Sequence, residues 1–232
     1  TLWDTVPAAA ARSPLDRLAL LQRGSEAAFL TGDNARAIAL VELAIAGTDA
    51  TAEPTQTGAL LARLTRYHWL NNDRPKAMQA IERAVAIIPA DPLSRERAHA
   101  LGRHGAFLML LGREVEAWAR CEEALAVCRR LSPSPTPEEA AALNTLAVAQ
   151  GVLGHLDVST VNFQEARRIA DQLGLAEVSC RVRLDRGGTL MSAGDWLKAS
   201  ESSLECYRLA GKFGLLATYG AAAGAEAARS LV

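Results

Sequence analysis

The chain has 232 residues, of which 50% are hydrophobic and only 5% aromatic, and its formal net charge is -1 at pH 7. So small a net charge offers no basic surface for nucleic acid or an anionic membrane, and neither is expected to contact this segment directly. The sequence has no apolar run long enough to span a bilayer and no export signal, which predicts a cytoplasmic location. The four cysteines lack C-x-x-C spacing, so we interpret them as small buried residues in a reducing compartment.

A polar turn followed by an amphipathic helix recurs five times along the chain. The turns lie at positions 32, 72, 112, 154 and 194, a spacing of 40 or 42 residues. A fixed period of this length marks a repeat array whose units pack on their neighbours. We predict a lead-in at 1–13, repeat units at about 14–48, 54–89, 92–131, 136–173 and 175–213, and a lone helix at 215–232.

Start and stop signals support these units. Ser13, before a proline, predicts the first helix start, and Asp33 is placed to cap the return helix. Asp91, again before a proline, is expected to cap the third unit, and Thr136 with Glu139 forms a capping box for the fourth. The expected C-terminal stops of units four and five are Gly174 and Gly214. No segment alternates like a strand, so the fold is predicted to be all-α.

Three small residues recur in each unit, where helices are expected to cross. The second helices carry two of them, seven residues apart: Ala37 and Ala44, Ala77 and Ala84, Ala117 and Ala124, Ser159 and Ala166, and Ala199 and Cys206. Twelve positions before each pair stand Ser25, Thr65, Gly105, Ala147 and Gly187. This pattern resembles the tetratricopeptide repeat, in a variant about six residues longer than the standard unit. The resemblance implies a right-handed superhelical solenoid of about five helix pairs plus one terminal helix.

The sequence has no motif that carries catalysis. It contains no phosphate-binding G-x-x-x-x-G-K-[ST], no G-x-G-x-x-G, no H-E-x-x-H and no G-x-S-x-G. The four histidines are scattered, without an acid or a cysteine at metal-ligand spacing. We therefore predict a non-enzymatic segment with no cofactor and no metal site.

What remains is a binding surface on the first helices, which line the concave face in such a superhelix. The helical register places there the candidate binding residues Gln22, Glu26, Arg66, Trp69, His99, Arg103, Asn144, Arg181 and Asp185. Arginines beside an aromatic ring and an amide can hold a peptide or a polar small molecule. The alternative is a solvated helix face with ion pairs one turn apart. Trp69 is the most informative residue, because a small rotation decides between an exposed anchor and a core side chain.

Three stretches extend the resemblance to the sensor arm of LuxR-type large ATP-binding transcriptional regulators, the group of the maltose regulator. They are RYHWL at 66–70, ALNTLAVA at 142–149, and TYG at 218–220 with GAEAA at 224–228. The resemblance implies a segment that senses an inducer or a protein partner, with ATP and DNA bound elsewhere in the full protein. The alternative is a stand-alone adaptor that grips a peptide of another protein. Self-association through the apolar terminal helix is a further expectation. Since the chain starts with Thr1 and ends inside a helical pattern, we expect a piece of a longer protein.

Overall fold

The computed structural model describes residues 16–229, apart from the side chain of Leu30, and all its regular elements there are helical. The predicted lead-in and the cap at Ser13 lie outside the described residues. The chain divides into two compact units, unit 1 up to Pro92 and unit 2 from Leu93 onward.

Unit 1 consists of two helix pairs. Helices α1 (Arg17–Leu30) and α2 (Asn34–Ala46) form the first pair, and α3 (Pro54–Leu70) and α4 (Arg74–Ile87) form the second. Each helix packs on its partner, and α2 also packs on α3. Short turns between long helices force this antiparallel arrangement.

Unit 2 consists of three helix pairs and a terminal element. Its α-helices are α5 (Arg95–Leu110), α6 (Glu114–Leu131), α7 (Pro137–Val152), α8 (Leu156–Gln172), α9 (Ala176–Ser192), α10 (Trp196–Phe213) and α11 (Ala221–Arg229). The first helices of successive pairs also pack on one another, α5 on α7 and α7 on α9. The predicted all-α fold of paired helices is confirmed.

The C-terminal segment was predicted as one regular helix, and the structure differs from this. The chain first makes a π-helical turn, Leu216–Gly220, and only then enters α11. Gly220 permits this turn because a Cβ there would lie 3.0 Å from Leu216 Cδ2. Residues 230–232 lie outside the described part of the chain.

Aspartate caps begin several helices, but the predicted cap at Asp91 was wrong. Asp33 caps α2 as predicted, accepting from Arg36 N at 3.0 Å. The first helix is capped by Asp16, which accepts from Ala19 N at 2.7 Å and was predicted to lie inside the helix. The third unit is capped by Ser94, not Asp91, because the chain runs on past Pro92 before it turns helical. In the fourth unit Thr136 accepts from the Glu139 amide at 3.2 Å, as one half of the predicted capping box.

The small residues lie at the helix crossings, as predicted. Within each second helix the paired small residues are at most 2% exposed, from Ala37 to Cys206. Their counterparts on the first helices are buried too, and the Gly105 backbone approaches α6 closely. A Cβ at Gly105 would lie 2.6 Å from Cys121 Sγ and 3.2 Å from the Ala117 carbonyl. Helix contact therefore requires small side chains here, because larger ones would force the pair apart.

The turn within each helix pair needs a left-handed residue. Four of the five predicted turn positions are glycines with φ between +70° and +86°, which are Gly32, Gly112, Gly154 and Gly194. The fifth is Asn72 with φ of +59°, the one non-glycine in this conformation among the described residues. Asparagine tolerates the left-handed region better than other residues with a Cβ, which explains the substitution.

We expect Asn72→Ala to lower the free energy of unfolding by about 1 kcal/mol, because alanine is strained at positive φ. Asn72→Gly should leave stability within about 0.5 kcal/mol of the parent, since glycine adopts this conformation freely. Asn71→Ala is the matched control, since Asn71 is also exposed but has φ of -83°. Urea unfolding followed by circular dichroism measures all three. Equal losses at positions 71 and 72 would contradict the conformational explanation.

All four cysteines are free and buried. Burial raises the pKa of the Cys121 and Cys206 thiols to about 12, so they stay protonated and act as small apolar side chains. Their interpretation as core residues is confirmed.

Ion pairs of the buried Arg183 side chain link α9 to α8 and α10. Arg183 is 7% exposed, and its Nη2 lies 2.8 Å from Asp171 Oδ2 of α8. It also lies 3.4 Å, through Nε, from Glu205 of α10. Burial disfavours the ionised Asp171, but bonds from Arg183 and Ser179 outweigh it and lower its pKa. The sequence alone did not identify this network, because its partners are on different helices.

Candidate ligand-binding face

All nine predicted binding residues lie on the first helices of their pairs, α1 and α3 in unit 1 and α5, α7 and α9 in unit 2. We call the surface that they form within each unit the first-helix face. Among residues 16–229, no group of three or more His, Cys, Asp or Glu side chains is placed to hold a metal ion.

In unit 1 the face has an aromatic base beneath a cation. The Arg66 guanidinium lies 4.6 Å from the centre of the Phe29 ring, which stacks on Tyr67 at 5.0 Å. Gln22 accepts through its backbone carbonyl from Arg63 Nη1 at 3.2 Å, which ties α1 to α3. A guanidinium over a ring is held in place while its other face stays available to a ligand.

Trp69 and Glu26 contribute differently to the face of unit 1. Trp69 is half-buried, and the Arg74 guanidinium lies 5.4 Å from its ring centroid. It is therefore intermediate between the exposed anchor and the core side chain that the sequence left open. Glu26 is exposed and lies one turn before the ring of Phe29.

In unit 2 the face begins with His99 and Arg103, one turn apart on α5. His99 is exposed, yet the protein around the imidazole removes enough water that desolvation, together with the Arg103 charge, lowers its pKa. The Arg103 guanidinium lies 5.4 Å from the Phe107 ring centroid. This end of the face therefore presents a neutral imidazole beside a cation.

The face then continues into a polar cluster at the contact of α7 and α9. Asn144 Nδ2 donates to Asp185 Oδ2 at 2.6 Å, a hydrogen bond between two of the predicted residues. Asn144 is 2% exposed, so it forms the floor of the face rather than projecting from it. Burial raises the pKa of Asp185, against the opposing effects of Asn144 and Arg181.

Two polar residues of this cluster were missed as site residues, because they lie on the terminal element whose register could not be placed. Tyr219 is 8% exposed, and burial, with the charges of Glu177 and Asp185, raises the pKa of its phenol. Glu226 of α11 accepts from Ser203 Oγ at 3.0 Å. A Cβ at Gly187 would lie 3.2 Å from Glu226 Oε2, so the small residue marks the approach of α11. The adjacent glycines at 187 and 188 were the sequence feature that could have indicated this close approach.

Unit 2 also contains a separate cleft of about 680 Å³ near the starts of α5 and α7. Its lining is mostly apolar and includes Leu93, Leu131, Leu173 and the Cys128 thiol. At its edge, Arg95 Nη2 donates to Glu138 Oε1 at 2.9 Å. The cleft contains none of the nine predicted binding residues.

No known protein-family model matches the sequence, and no curated protein matches it. Solved structures match well. A Rap protein complexed with Competence and Sporulation Factor is similar with a TM-score of 0.71 and 14% identity, over 87% of this chain and 56% of that one. Tetratricopeptide-like repeats of a putative kinesin light chain from Podosopora anserina match with a TM-score of 0.62 and 16% identity, over 87% of this chain and 99% of that one.

A third similar structure is a signal-transduction ATPase with numerous domains from Pyrococcus horikoshii, which has a tetratricopeptide repeat sensor. Its TM-score is 0.65 at 15% identity, over 90% of this chain and 32% of that one. This chain thus spans about half the length of the Rap protein and about a third of the ATPase. These comparisons show that the chain has a tetratricopeptide-like repeat fold, a fold suited to binding a protein or a peptide. No described helix is both long and apolar enough to cross a membrane.

Proposed function

We propose that this chain is the sensor segment of a larger signal-transducing protein and binds a peptide or protein partner on its first-helix face. The observation that carries the proposal is the polar cluster of unit 2. There Asn144 Oδ1 and Arg181 Nε are buried, and neither has a hydrogen-bond partner among the described residues. Buried polar atoms without a partner cost free energy, which a ligand that enters the cluster would recover.

Two features favour a peptide as the ligand. Within unit 2 the face combines a cation over a ring (Arg103 on Phe107) with an amide and a carboxyl group in the polar cluster. Such a surface offers both stacking and hydrogen bonds to a polar chain. The Rap protein, whose fold is similar, was solved with Competence and Sporulation Factor bound, which supports the same use of the fold.

The finer assignment is the sensor arm of a LuxR-type transcriptional regulator. It is supported by the three sequence stretches described above and by the similar sensor of the archaeal ATPase. In this proposal a ligand on the face biases the conformation or oligomeric state of the parent protein. A stand-alone adaptor is the second candidate, since the kinesin light chain repeats match over nearly their whole length.

A thermal-shift screen with a peptide library and a metabolite library tests the proposal. A ligand present at about 100 times its dissociation constant should add about 2.7 kcal/mol of stability. Peptide hits support the proposed function, and their absence together with metabolite hits would replace the peptide by a small-molecule inducer. If neither library stabilises the chain, binding by this face is refuted.

For any hit, we expect Arg103→Ala to weaken binding at least about fivefold, because it removes a stacked cation from the face. Its stability should fall by no more than about 1 kcal/mol. Arg208→Ala is the matched control, since Arg208 is exposed on α10, a second helix. Isothermal titration measures affinity for both variants. Equal weakening by the two, or a large loss of stability at position 103, would show that the face is misplaced.

A further inference from the structure

The polar cluster of unit 2 has a defined chemistry of its own. We call it the α9 recess and define it by residues from three elements: Asn144 of α7, Arg181 and Asp185 of α9, and Tyr219 and Glu226 of the terminal segment. The Glu226 carboxyl group approaches the α9 backbone at Gly187 and Gly188. A Cβ at Gly188 would lie 3.6 Å from Glu226 Oε1, so this carboxyl group lies against α9 close to the turn that carries Asp185.

The Asn144 side chain has an unused acceptor in the recess. Its Nδ2 is committed to Asp185 Oδ2, while its Oδ1 has no partner among the described residues although Asn144 is 2% exposed. An amide oxygen that is buried without a partner is costly, so its retention here points to a donor supplied from outside. The hydrogen bond that the side-chain amide donates to Asp185 fixes the orientation of Asn144 and keeps Oδ1 beside the carboxyl group.

The charges around the recess are unbalanced toward the negative side. Asp185 and Glu226 carry two carboxyl groups, and Glu177 lies one turn before Arg181 on α9. The cations that act on these carboxyl groups are Arg181, which opposes the raised pKa of Asp185, and Arg229, which opposes that of Glu226. Burial raises the pKa of both carboxyl groups, and Asp185 raises that of Glu226 further. An added positive charge stabilises the ionised form of carboxyl groups whose ionisation is opposed by burial or by a neighbouring acid.

We propose that the α9 recess is a subsite for a primary ammonium or guanidinium group, the side-chain head of a lysine or arginine in the bound peptide. Asn144 Oδ1 and the Asp185 carboxylate accept hydrogen bonds from the cationic head, and Glu226 adds a second negative charge. This subsite rests on the proposed peptide-binding function and specifies one residue of the ligand.

The polar and charged groups of the recess argue against the other ligand classes. Hard metal ions need more oxygen ligands than this site offers, and the described residues contain no three-acid or histidine cluster. An anion would be attracted by Arg181 and Arg229 but repelled by Asp185, Glu226 and Glu177, which outnumber them. A cation with several N–H groups satisfies the amide oxygen and the carboxyl group at once, which a neutral alcohol with one donor cannot do.

Proton linkage gives the subsite a distinctive signature. A bound cation favours ionised Asp185 and Glu226, whose pKa values are raised in the empty protein, so binding releases protons. Affinity for a cation is therefore expected to rise with pH above the range in which carboxyl groups ordinarily titrate. A neutral ligand that hydrogen-bonds to a protonated carboxyl group would show the opposite trend.

The test is a titration of the full ¹⁵N-labelled chain with n-butylammonium chloride and with methylguanidinium chloride. The side-chain amide signal of Asn144 is assigned by its absence from the Asn144→Asp variant. We expect that signal to shift in a saturable way, with a dissociation constant of about 10 mM or lower. The neutral probe n-butanol should produce no saturable shift at the same concentrations.

Variants then separate the subsite from general charge effects. Asp185→Asn should raise the dissociation constant at least tenfold, since it removes a charged partner in a desolvated site. Glu201→Gln removes the same charge from the exposed surface of α10 and should change it less than about twofold. If Asp185→Asn does not fold, Glu226→Gln should raise the constant at least about threefold.

The proposal is overturned if butylammonium leaves the Asn144 amide unshifted, if n-butanol shifts it equally, or if Asp185→Asn binds as tightly as the parent chain. These failures are distinct from failure of the proposed function. Peptides that bind the face whether they carry lysine, arginine or norleucine at the contact position would keep the function and reject the cation subsite.

Discussion

Ala84→Arg is expected to lower the free energy of unfolding by about 3 kcal/mol or more. Ala84 is 0% exposed on α4, which packs against α3 in unit 1. The new side chain would overpack a closed helix crossing and bury a charge without a partner, two effects that each cost several kcal/mol when unrelieved. Urea unfolding followed by circular dichroism measures the loss.

The control for this variant is Glu82→Arg, which places the same side chain at an exposed position of the same helix. Its stability should stay within about 0.5 kcal/mol of the parent chain. A loss below about 1 kcal/mol for Ala84→Arg would show that the crossing accommodates large residues. In that case the small-residue pattern would not be what brings the helices together.

Acidification is expected to destabilise the chain through His104, a residue of α5 that is 7% exposed. Burial, together with the charges of Arg120 and Arg113, lowers its pKa from 6.5 to about 4. Its Nδ1 has no hydrogen-bond partner among the described residues, so no acceptor there stabilises the N–H of a protonated imidazole. The unfolded chain binds a proton at higher pH than the folded one, and stability therefore falls as pH drops from about 6.5 toward about 4.

By this linkage His104 alone should cost about 2–3 kcal/mol at pH 4.5 relative to pH 7.5. Unfolding titrations at several pH values of the parent chain and of His104→Leu measure the difference. The leucine variant should lose less stability on acidification, although His68, whose pKa is also lowered by burial, will maintain part of the dependence. His155→Gln, at an exposed turn position, should behave as the parent chain. Parallel curves for His104→Leu and the parent would refute this assignment.

Much of the fold could be predicted because it depends on local sequence features that recur in each repeat unit. The turn glycines, the aspartate cap at Asp33 and the small pairs seven residues apart each report on their own unit. Because each of these features recurs at a fixed spacing, it could be recognised in the sequence. The predicted cap at Asp91 was wrong, since a proline beside a candidate capping residue can precede the helix by several residues as well as begin it.

The candidate site could be predicted only in part. The face of a helix on which a residue lies follows from the nearby sequence, whereas contacts between side chains of different helices do not. The sequence placed Asn144 and Asp185 on first helices, yet it did not predict that their side chains bond at 2.6 Å. Glu226 joined the cluster from an element with no repeat partner, so no periodic pattern could place it. Whether the nine residues bind a ligand stays a prediction for the titrations above.

The burial of every cysteine makes the chain a convenient subject for site-directed spectroscopy. With all four cysteines buried, and the thiols of Cys121 and Cys206 protonated up to about pH 12, maleimide reagents should react slowly with the native protein. One cysteine engineered at an exposed site such as Glu201 would then take a fluorophore or spin label without first removing the native ones. Conformational changes of the segment can thus be followed in an otherwise unaltered molecule.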